Sequence, residues 1–127
     1  IDCTNKSILL GQSDNLQNII CGFDLLSITS LSEGFPNVLG EGMSLQVPCV
    51  VNNVGDCKFI LENSDAVVNS FEPLEIANAW EKIYKMSVEG KMELGRKYRN
   101  RIREMFDINK IVIEYENLFL ELSNEKK

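Results

Sequence analysis

The chain alternates short, uniformly apolar runs with longer segments whose apolar residues recur every three or four positions. The apolar runs predict buried strands at residues 7–10, 25–29, 48–51 and 66–68. Because helical segments separate these runs, we expect the strands to lie parallel in one sheet that helices cover on both faces.

Helical periodicity fills the spaces between the predicted strands. Residues 37–45 predict a helix behind Pro36, a residue favoured in a first helical turn because its missing N–H costs nothing there. Residues 54–62 predict a loop followed by a short helix. An earlier helix, which Ser13 is able to cap, has its apolar residues at i, i+3, i+4 and i+7: Leu16, Ile19, Ile20 and Phe23.

The last third of the chain predicts helices alone. Residues 90–106 and 108–122 form two of them, and the second carries a continuous apolar stripe. Another helix begins at residues 72–73, and its spacing predicts an inward face with Trp80 in the core. This face comprises Ile76, Trp80, Ile83 and Tyr84. The pattern therefore predicts an α/β fold with a parallel sheet of about four strands, flanking helices and a C-terminal helical tail, half of a doubly wound protein.

Composition narrows the possible functions. A chain of 127 residues fits one domain. The net charge of −6 argues against nucleic-acid binding, which requires Lys and Arg to neutralise phosphates. The chain has no histidine, which excludes Ser-His-Asp triads, histidine bases and His-ligated zinc within it.

The cysteines predict a reduced chain without a metal site. Cys3, Cys21, Cys49 and Cys57 form no C-x-x-C pair and no zinc spacing. Cys21 and Cys49 each lie in an apolar run, where we expect them to behave as small buried hydrophobes in a cytoplasmic protein. No signal peptide or bilayer-spanning stretch of about 20 apolar residues is evident. Because Ile1 stands where a natural start would carry Met, we expect a fragment of a longer protein.

Residues 30–41 carry the most informative chemistry. They follow the predicted strand at residues 25–29 and lead into the helix at residues 37–45. Open α/β sheets bind ligands at this edge, where N–H groups and the dipole of a helix N-terminus favour a phosphate. Glu33 and Glu41 bracket these amides, and carboxylates are good acceptors for sugar hydroxyls. A nucleotide-sugar has both the phosphates and the hydroxyls that this segment suits.

The same segment resembles a known enzyme family. Glu33 and Glu41, with seven residues between them and Gly-Phe-Pro inside, resemble the E-x7-E signature of retaining family-4 glycosyltransferases. The run S-L-S-E-G-F-P-N-V-L-G-E resembles that family's S-x-S-E-G-F-P-N-V-L-x-E segment. Residues 46–56 resemble its G-x-P-V-V-x-x-x-x-G-G continuation, and residues 106–122 resemble its terminal helix. The resemblance covers nearly the entire chain, in the same order.

The resemblance implies half of a GT-B architecture, in which the second of two Rossmann-like domains holds most of the donor. Residues 1–127 would be this C-terminal nucleotide-sugar-binding domain, with the N-terminal acceptor domain and the first part of this domain outside the chain. The substrate would be a nucleotide-sugar, which we expect to be a UDP-sugar, and transfer would proceed with retention and without a metal or cofactor. The acceptor would be a glycan or a lipid-linked glycan in bacterial surface polysaccharide synthesis of the O-antigen or capsule type. We expect the fragment alone to be inactive.

The resemblance also assigns roles to residues. Glu33 would contact the transferred sugar as the catalytic residue, and Glu41 would accept hydrogen bonds from the ribose. The donor-binding residues would be Gly34, Phe35, Pro36, Asn37, Val38, Leu39 and Glu41. The nucleobase would lie along Gly11, Gln12 and Ser13.

Simpler interpretations stay open for several of these residues. Glu33 and Glu41 are also compatible with surface positions, Asn37 with a helix cap, and Phe35 with packing beneath the turn. Gly40 and Gly42 stand where the family usually has helix formers, each at a cost of about 1 kcal/mol, so this helix depends on packing. Asp56 replaces the second glycine of the family's usual pair, which leaves the role of that loop undecided.

Positive charge is confined to the helical tail. Residues 81–127 carry 11 basic and 9 acidic side chains, whereas residues 1–80 carry 2 and 10. A basic run within this tail is either a solvated helix face or a contact for anionic lipid head groups at the inner face of the cell membrane. It comprises Arg96, Lys97, Arg99, Arg101 and Arg103.

Two other function classes are compatible with the sequence. The same half-fold occurs in sugar-nucleotide epimerases and in phosphorylases, although no lysine stands out as a pyridoxal-binding residue. A non-catalytic nucleotide-sugar-binding module is the second alternative.

Overall fold

Three short parallel strands form the sheet in the computed structural model, which describes residues 6–62 and 65–124. The elements follow one another as α1 (Leu16–Ile20), β1 (Leu26–Ile28), α2 (Asn37–Ser44), β2 (Cys49–Asn52), α3 (Cys57–Leu61), β3 (Val67–Val68), α4 (Pro73–Tyr84), α5 (Val88–Met105) and α6 (Ile108–Asn124). The strand order is β1-β2-β3, with Leu26 opposite Cys49 and Val51 opposite Val67. The predicted α/β fold with a parallel sheet is confirmed, with three strands in the described part of the chain.

The strand predicted at residues 7–10 is wrong. Ile8, Leu9 and Leu10 lie in irregular backbone and are 84%, 98% and 62% exposed. An apolar run shows that a segment favours burial, but a strand also needs a neighbour whose backbone groups it can pair with. Within the described residues, no strand pairs with this segment.

Helices cover the sheet on both faces, as the uniformly apolar strands predict. Successive residues of a strand point to opposite faces. Cys49 and Val51 accordingly pack into the cluster that α2, α3 and α5 build, whereas Val50 packs with Ala79 and Ile83 of α4. Every residue of β2 is buried, which is typical of a parallel strand inside a two-sided α/β fold.

Glycines allow α2 and α5 to approach their neighbours closely. A Cβ on Gly42 of α2 would overlap the Leu26 side chain on β1 and lie 3.5 Å from the Cys49 sulfur. A Cβ on Gly95 of α5 would overlap the Gln46 carbonyl oxygen at the end of α2. The packing that α2 was expected to need is therefore present, and Gly42 itself makes part of it possible.

The first helix is shorter than its periodicity predicts. It ends at Ile20, and Phe23, predicted to face inward, is 40% exposed beyond it. The Ser13 hydroxyl accepts a hydrogen bond from the Asn15 N–H, which precedes the helix, so Ser13 does not cap it directly. Cys21, predicted to be buried, is exposed in the turn that follows, because the chain leaves the core there.

The inward face of α4 is narrower than predicted. Ile83 is buried, but Tyr84 is 78% exposed and Trp80 is 41% exposed, so the placement of these two residues in the core is wrong. The Trp80 indole N–H donates to the Ser27 hydroxyl of β1 at 2.8 Å. Tryptophan often has an apolar ring that is partly covered and an N–H that needs a hydrogen-bond partner. Trp80 finds this partner in β1, while part of its ring stays in solvent.

The helical tail has the predicted elements, and α6 lies outside the core. Gly90 donates its N–H to the Ser87 hydroxyl, which caps α5. No described residue of α6 is buried, so most of the apolar stripe that predicts this helix, including Tyr115 and Phe119, is exposed, and Ile111 is half-buried. Among residues 6–62 and 65–124, no helix has both the length and the apolar composition needed to cross a membrane.

Candidate functional site

The β1–α2 turn, residues 29–36, lies at the carboxyl end of β1 and ends at the first helical turn of α2. Pro36 is buried and extended, with φ −74° and ψ 94°, so the helix begins at Asn37. The N–H groups of Asn37 and Val38 have no carbonyl one turn earlier in the helix to bond. The Leu39 N–H already donates to the Pro36 carbonyl at 3.0 Å, and its side chain is fully buried. The Leu39 N–H thus already has a partner in the first helical turn, and a role of Leu39 toward a donor stays a prediction.

A cavity of about 480 Å³ opens beside α2 and brings three predicted residues together. Its predicted residues are Phe35, Asn37 and Glu41, and the last two share a helix face because they are four positions apart. Glu33 is half-buried in the turn outside this cavity. The remaining lining residues come from α1, α2 and the end of α5: Gln17, Gly40, Ser44, Leu45, Ile102 and Phe106.

Gln17 and Ser44 are polar residues of this cavity that the sequence analysis did not identify. The spacing in the sequence predicts Ser44 at this site, because residues 37, 41 and 44 follow the i, i+4, i+7 spacing of one helix face. No spacing in the sequence predicts Gln17 at this site, because only the packing of α1 beside α2 brings it to the cavity.

The β2–α3 loop, residues 53–56, supports the β1–α2 turn from the side. The Asp56 N–H donates to the Gly34 carbonyl at 3.0 Å. Gly55 has a φ of +49°, and a Cβ on it would overlap the carbonyl oxygens of Glu33 and Gly34. The loop whose role the sequence left undecided therefore lies directly against the turn that carries Glu33.

An aromatic cluster holds the other side of the turn. The Phe35 ring lies 5.5 Å from the Phe106 ring, and the Phe59 ring lies 5.9 Å from Phe106, both edge to face. Such pairs contribute about 0.5–1.5 kcal/mol beyond their buried area. The Phe35 side chain is thus a packing group, which favours the simpler of the two interpretations for its ring.

Comparison with known proteins identifies the family. The sequence profile of the glycosyl transferases group 1 matches residues 2–86, which include the sheet, the β1–α2 turn and the β2–α3 loop. The chain belongs to this family.

Two curated relatives match nearly the whole chain. The N-acetyl-alpha-D-glucosaminyl L-malate synthase of Bacillus anthracis is 26% identical over 125 residues, which are 97% of this chain and 32% of that protein. The UDP-Gal:alpha-D-GlcNAc-diphosphoundecaprenol alpha-1,3-galactosyltransferase of Escherichia coli is 26% identical over 119 residues, 92% of this chain and 30% of that protein. The chain thus spans about a third of the length of these relatives.

The buried thiols of Cys49 and Cys57 in this glycosyl transferase domain are poor nucleophiles. Burial raises the pKa of Cys49 to about 12. Burial also raises the pKa of Cys57, and the negative charge of nearby Glu33 raises it further. A thiol reacts as its thiolate, so neither group is a candidate for covalent chemistry at neutral pH. Within the described residues, no group of three or more Cys, Asp or Glu side chains is arranged to hold a metal ion.

The predicted nucleobase loop lies before α1. Gly11 and Gln12 are exposed, and Ser13 is half-buried. Gly11 has a φ of +67°, and a Cβ added to it would have no other atom within 4 Å. None of the three lines the cavity beside α2. Their role toward a base stays a prediction.

The basic run of α5 does not form one surface. Arg96 pairs with Glu93 at 2.6 Å, and Arg96, Arg99 and Arg103 share one exposed face at i, i+3 and i+7. The Arg101 side chain, by contrast, is only 14% exposed and bonds to α3. Its predicted contact with lipid head groups is therefore wrong, because its guanidinium is already engaged inside the domain. Lys97 lines a separate cavity with Tyr98.

Proposed function

We propose that this chain is the nucleotide-sugar-binding domain of a retaining, metal-independent glycosyltransferase that uses a UDP-sugar. The observation that carries the proposal is the arrangement around α2 in a member of the glycosyl transferases group 1. The first-turn amides of Asn37 and Val38 lie at the carboxyl edge of a parallel sheet, with Glu33 before them and Glu41 in the adjoining cavity. A helix N-terminus favours phosphate, and the two carboxylates suit hydroxyl-rich groups at either end of it.

Each part of the donor then has a place. The pyrophosphate lies at the start of α2, the ribose hydroxyls donate to Glu41, and the transferred sugar lies near Glu33. The cavity that holds Glu41 also offers Gln17 and Ser44 as hydrogen-bonding partners for the nucleoside. Residues 1–80 carry only 2 basic side chains against 10 acidic ones, so we infer that cations from the rest of the protein complete the pyrophosphate site.

The name of one relative supports a UDP-sugar and a lipid-linked acceptor. The Escherichia coli relative is named for UDP-Gal and for an acceptor on diphosphoundecaprenol. The Bacillus anthracis relative is named for L-malate, a small acid, so we infer that the acceptor is selected mainly outside the segment that the relatives share with this chain. We propose a hexose or N-acetylhexosamine transfer to a glycan or lipid-linked acceptor in bacterial surface polysaccharide synthesis, in the cytoplasm at the inner face of the membrane. The face of Arg96, Arg99 and Arg103 is suited to anionic head groups there.

Donor binding by Glu41 is tested in the full-length protein. Isothermal titration with UDP-galactose compares Glu41→Ala with Glu75→Ala, a control on the exposed first turn of α4. Hydrogen bonds to a charged group contribute about 1.5–3 kcal/mol, so we expect Glu41→Ala to lose roughly 10- to 100-fold in affinity. An affinity equal to that of the control would remove Glu41 from the ribose. GDP- and ADP-sugars in the same titration identify the base.

Turnover tests Glu33 and the role of the domain. We expect Glu33→Gln in the full-length protein to keep donor affinity but to lose about 100-fold or more in kcat, equivalent to about 2.7 kcal/mol. The anomeric configuration of the product, read by NMR, reports retention. Transfer catalysed by these 127 residues alone would contradict a donor-binding role that depends on a second domain.

A further inference from the structure

Arg101 binds the carboxyl end of α3. Its Nε donates to the Ile60 carbonyl at 2.8 Å, and its Nη2 donates to the Phe59 carbonyl at 2.5 Å. The last carbonyls of a helix lack partners inside the helix and carry partial negative charge, so a guanidinium satisfies both needs there. Its ion pair with Glu62 at 3.4 Å is weaker support, because the Glu62 side chain is 73% exposed.

The other end of α3 adjoins the β1–α2 turn. The β2–α3 loop runs directly into this helix, and within the loop Asp56 donates its N–H to Gly34 while Gly55 lies against Glu33. The helix has only five residues and no side-chain cap at its start. A helix this short is unstable on its own, so it depends on tertiary contacts. Its buried residues pack it into the core: Cys57, Ile60 and Leu61. Contacts at its ends add to that support. Arg101 supplies such a contact at the end opposite the turn.

Aromatic rings provide a second connection. The Arg101 guanidinium carbon lies 5.7 Å from the centre of the Phe59 ring, at a distance where cation–π attraction operates. Phe59 contacts Phe106, and Phe106 contacts Phe35 in the β1–α2 turn. The backbone route and the aromatic route therefore both start at Arg101 and both end at residues 33–35.

From these two routes we infer that Arg101 is a positioning residue for the β1–α2 turn. With the guanidinium in place, α3 and the aromatic cluster hold Glu33 and the amides that follow it in one geometry. Phe35 and Phe106 also line the cavity that holds Glu41. The backbone of α2 nevertheless depends less on these routes, because Gly42 packs it directly against β1. Resting on the proposed function, the inference predicts that loss of Arg101 affects the sugar and pyrophosphate end of the donor more than its nucleoside end.

The first test measures the turn without any ligand. Hydrogen–deuterium exchange is compared in full-length Arg101→Met and Arg99→Met, the second being an exposed arginine on the same helix. We expect Arg101→Met to exchange at least tenfold faster than the parent in peptides spanning residues 33–38 and 54–62, and Arg99→Met to match the parent. Faster exchange at residues 54–62 alone would overturn the inference, because α3 would then loosen without moving the turn.

The second test separates positioning from general destabilisation. A hydrogen bond to a charged group contributes about tenfold or more to affinity, so displacement of the first-turn amides by Arg101→Met should weaken binding of UDP-galactose about tenfold or more. UMP lacks the sugar and one of the two phosphates, so its binding should weaken clearly less than that of UDP-galactose, and Arg101→Lys should recover part of the loss. An equal loss for UDP-galactose and UMP would overturn the inference.

Two further outcomes distinguish a failure of the proposed function from a failure of the positioning role of Arg101. If the parent binds neither UDP-galactose nor UMP, the proposed function fails, and the exchange data alone decide the positioning role. If Arg101→Met does not fold, Phe59→Leu at a side chain that is 54% exposed removes the aromatic route, and faster exchange at residues 33–38 is again expected. Unchanged exchange there would contradict the aromatic route.

Discussion

Gly55→Ala is the substitution that tests most directly how the β2–α3 loop supports the β1–α2 turn. Gly55 has a φ of +49°, in the left-handed region that glycine alone adopts freely. Its added Cβ would overlap the carbonyl oxygens of Glu33 and Gly34 and lie 2.8 Å from the Glu33 carbonyl carbon. Because these obstacles are backbone atoms, they cannot turn aside as a flexible side chain would. The turn or the loop must move.

Two terms give the expected loss in the free energy of unfolding. Left-handed backbone costs about 1–2 kcal/mol for a residue with a Cβ. Overpacking against a well-packed neighbour adds about 1–3 kcal/mol, so we expect a total of about 2–5 kcal/mol. Gly11→Ala is the matched control, because Gly11 has a φ of +67° but nothing within 4 Å of an added Cβ. It should lose only the backbone term, about 1–2 kcal/mol.

Urea denaturation of the 127-residue chain measures both variants, with the fluorescence of Trp80, its single tryptophan, as the signal. Trp80 on α4 donates a hydrogen bond to Ser27 of β1, so its fluorescence reports tertiary structure. Equal losses in Gly55→Ala and Gly11→Ala would refute the argument, since the overlap with the turn would then cost nothing. A larger loss in Gly11→Ala would refute it as well.

Two further pairs of residues give matched predictions. Gly40→Ala places a Cβ 4.0 Å from the nearest side-chain atom and should stabilise α2 by about 0.5–1 kcal/mol, whereas Gly42→Ala overlaps Leu26 and should destabilise the chain by about 1 kcal/mol in the same urea assay. A stabilising Gly42→Ala would contradict the close contact between α2 and β1. Iodoacetamide at pH 8, read by peptide mass spectrometry, should modify exposed Cys21 at least 100-fold faster than Cys49, whose pKa is raised by burial to about 12, and equal rates would contradict the burial.

Where local pattern and burial agree, the sequence predicts the fold well. The runs that contain β1, β2 and β3 are largely buried in a parallel sheet, because a strand covered on both faces is apolar at most of its positions. The same rule fails at residues 7–10, where apolar composition is present without a pairing partner in the described structure. Helical periodicity likewise places Ile83 correctly but not Tyr84, because spacing defines a stripe and only the neighbouring elements define how much of it is covered.

The candidate site likewise contains some residues that the sequence predicts and others that it does not. Asn37 and Glu41 share a helix face, and four-residue spacing within one helix is visible in the sequence. Their neighbour Gln17 is brought there by the packing of α1, some 20 positions earlier in the chain. The contacts of Gly55 and Phe106 with the β1–α2 turn join segments still further apart, and no periodicity or short motif encodes them.

The support of the β1–α2 turn extends beyond the segment that defines the family. The family profile matches residues 2–86, which end before α5 begins at Val88. Yet α5 supplies Arg101, and Phe106 follows at its end, so both connections described above start or pass outside the matched segment. A chain ending at residue 86 would keep Glu33, Glu41 and the first turn of α2 but would lose the groups that hold the turn from two sides. We therefore expect substitutions in α5 to change how the sugar end of a donor is held, while Glu41→Ala weakens donor affinity and Glu33→Gln lowers turnover.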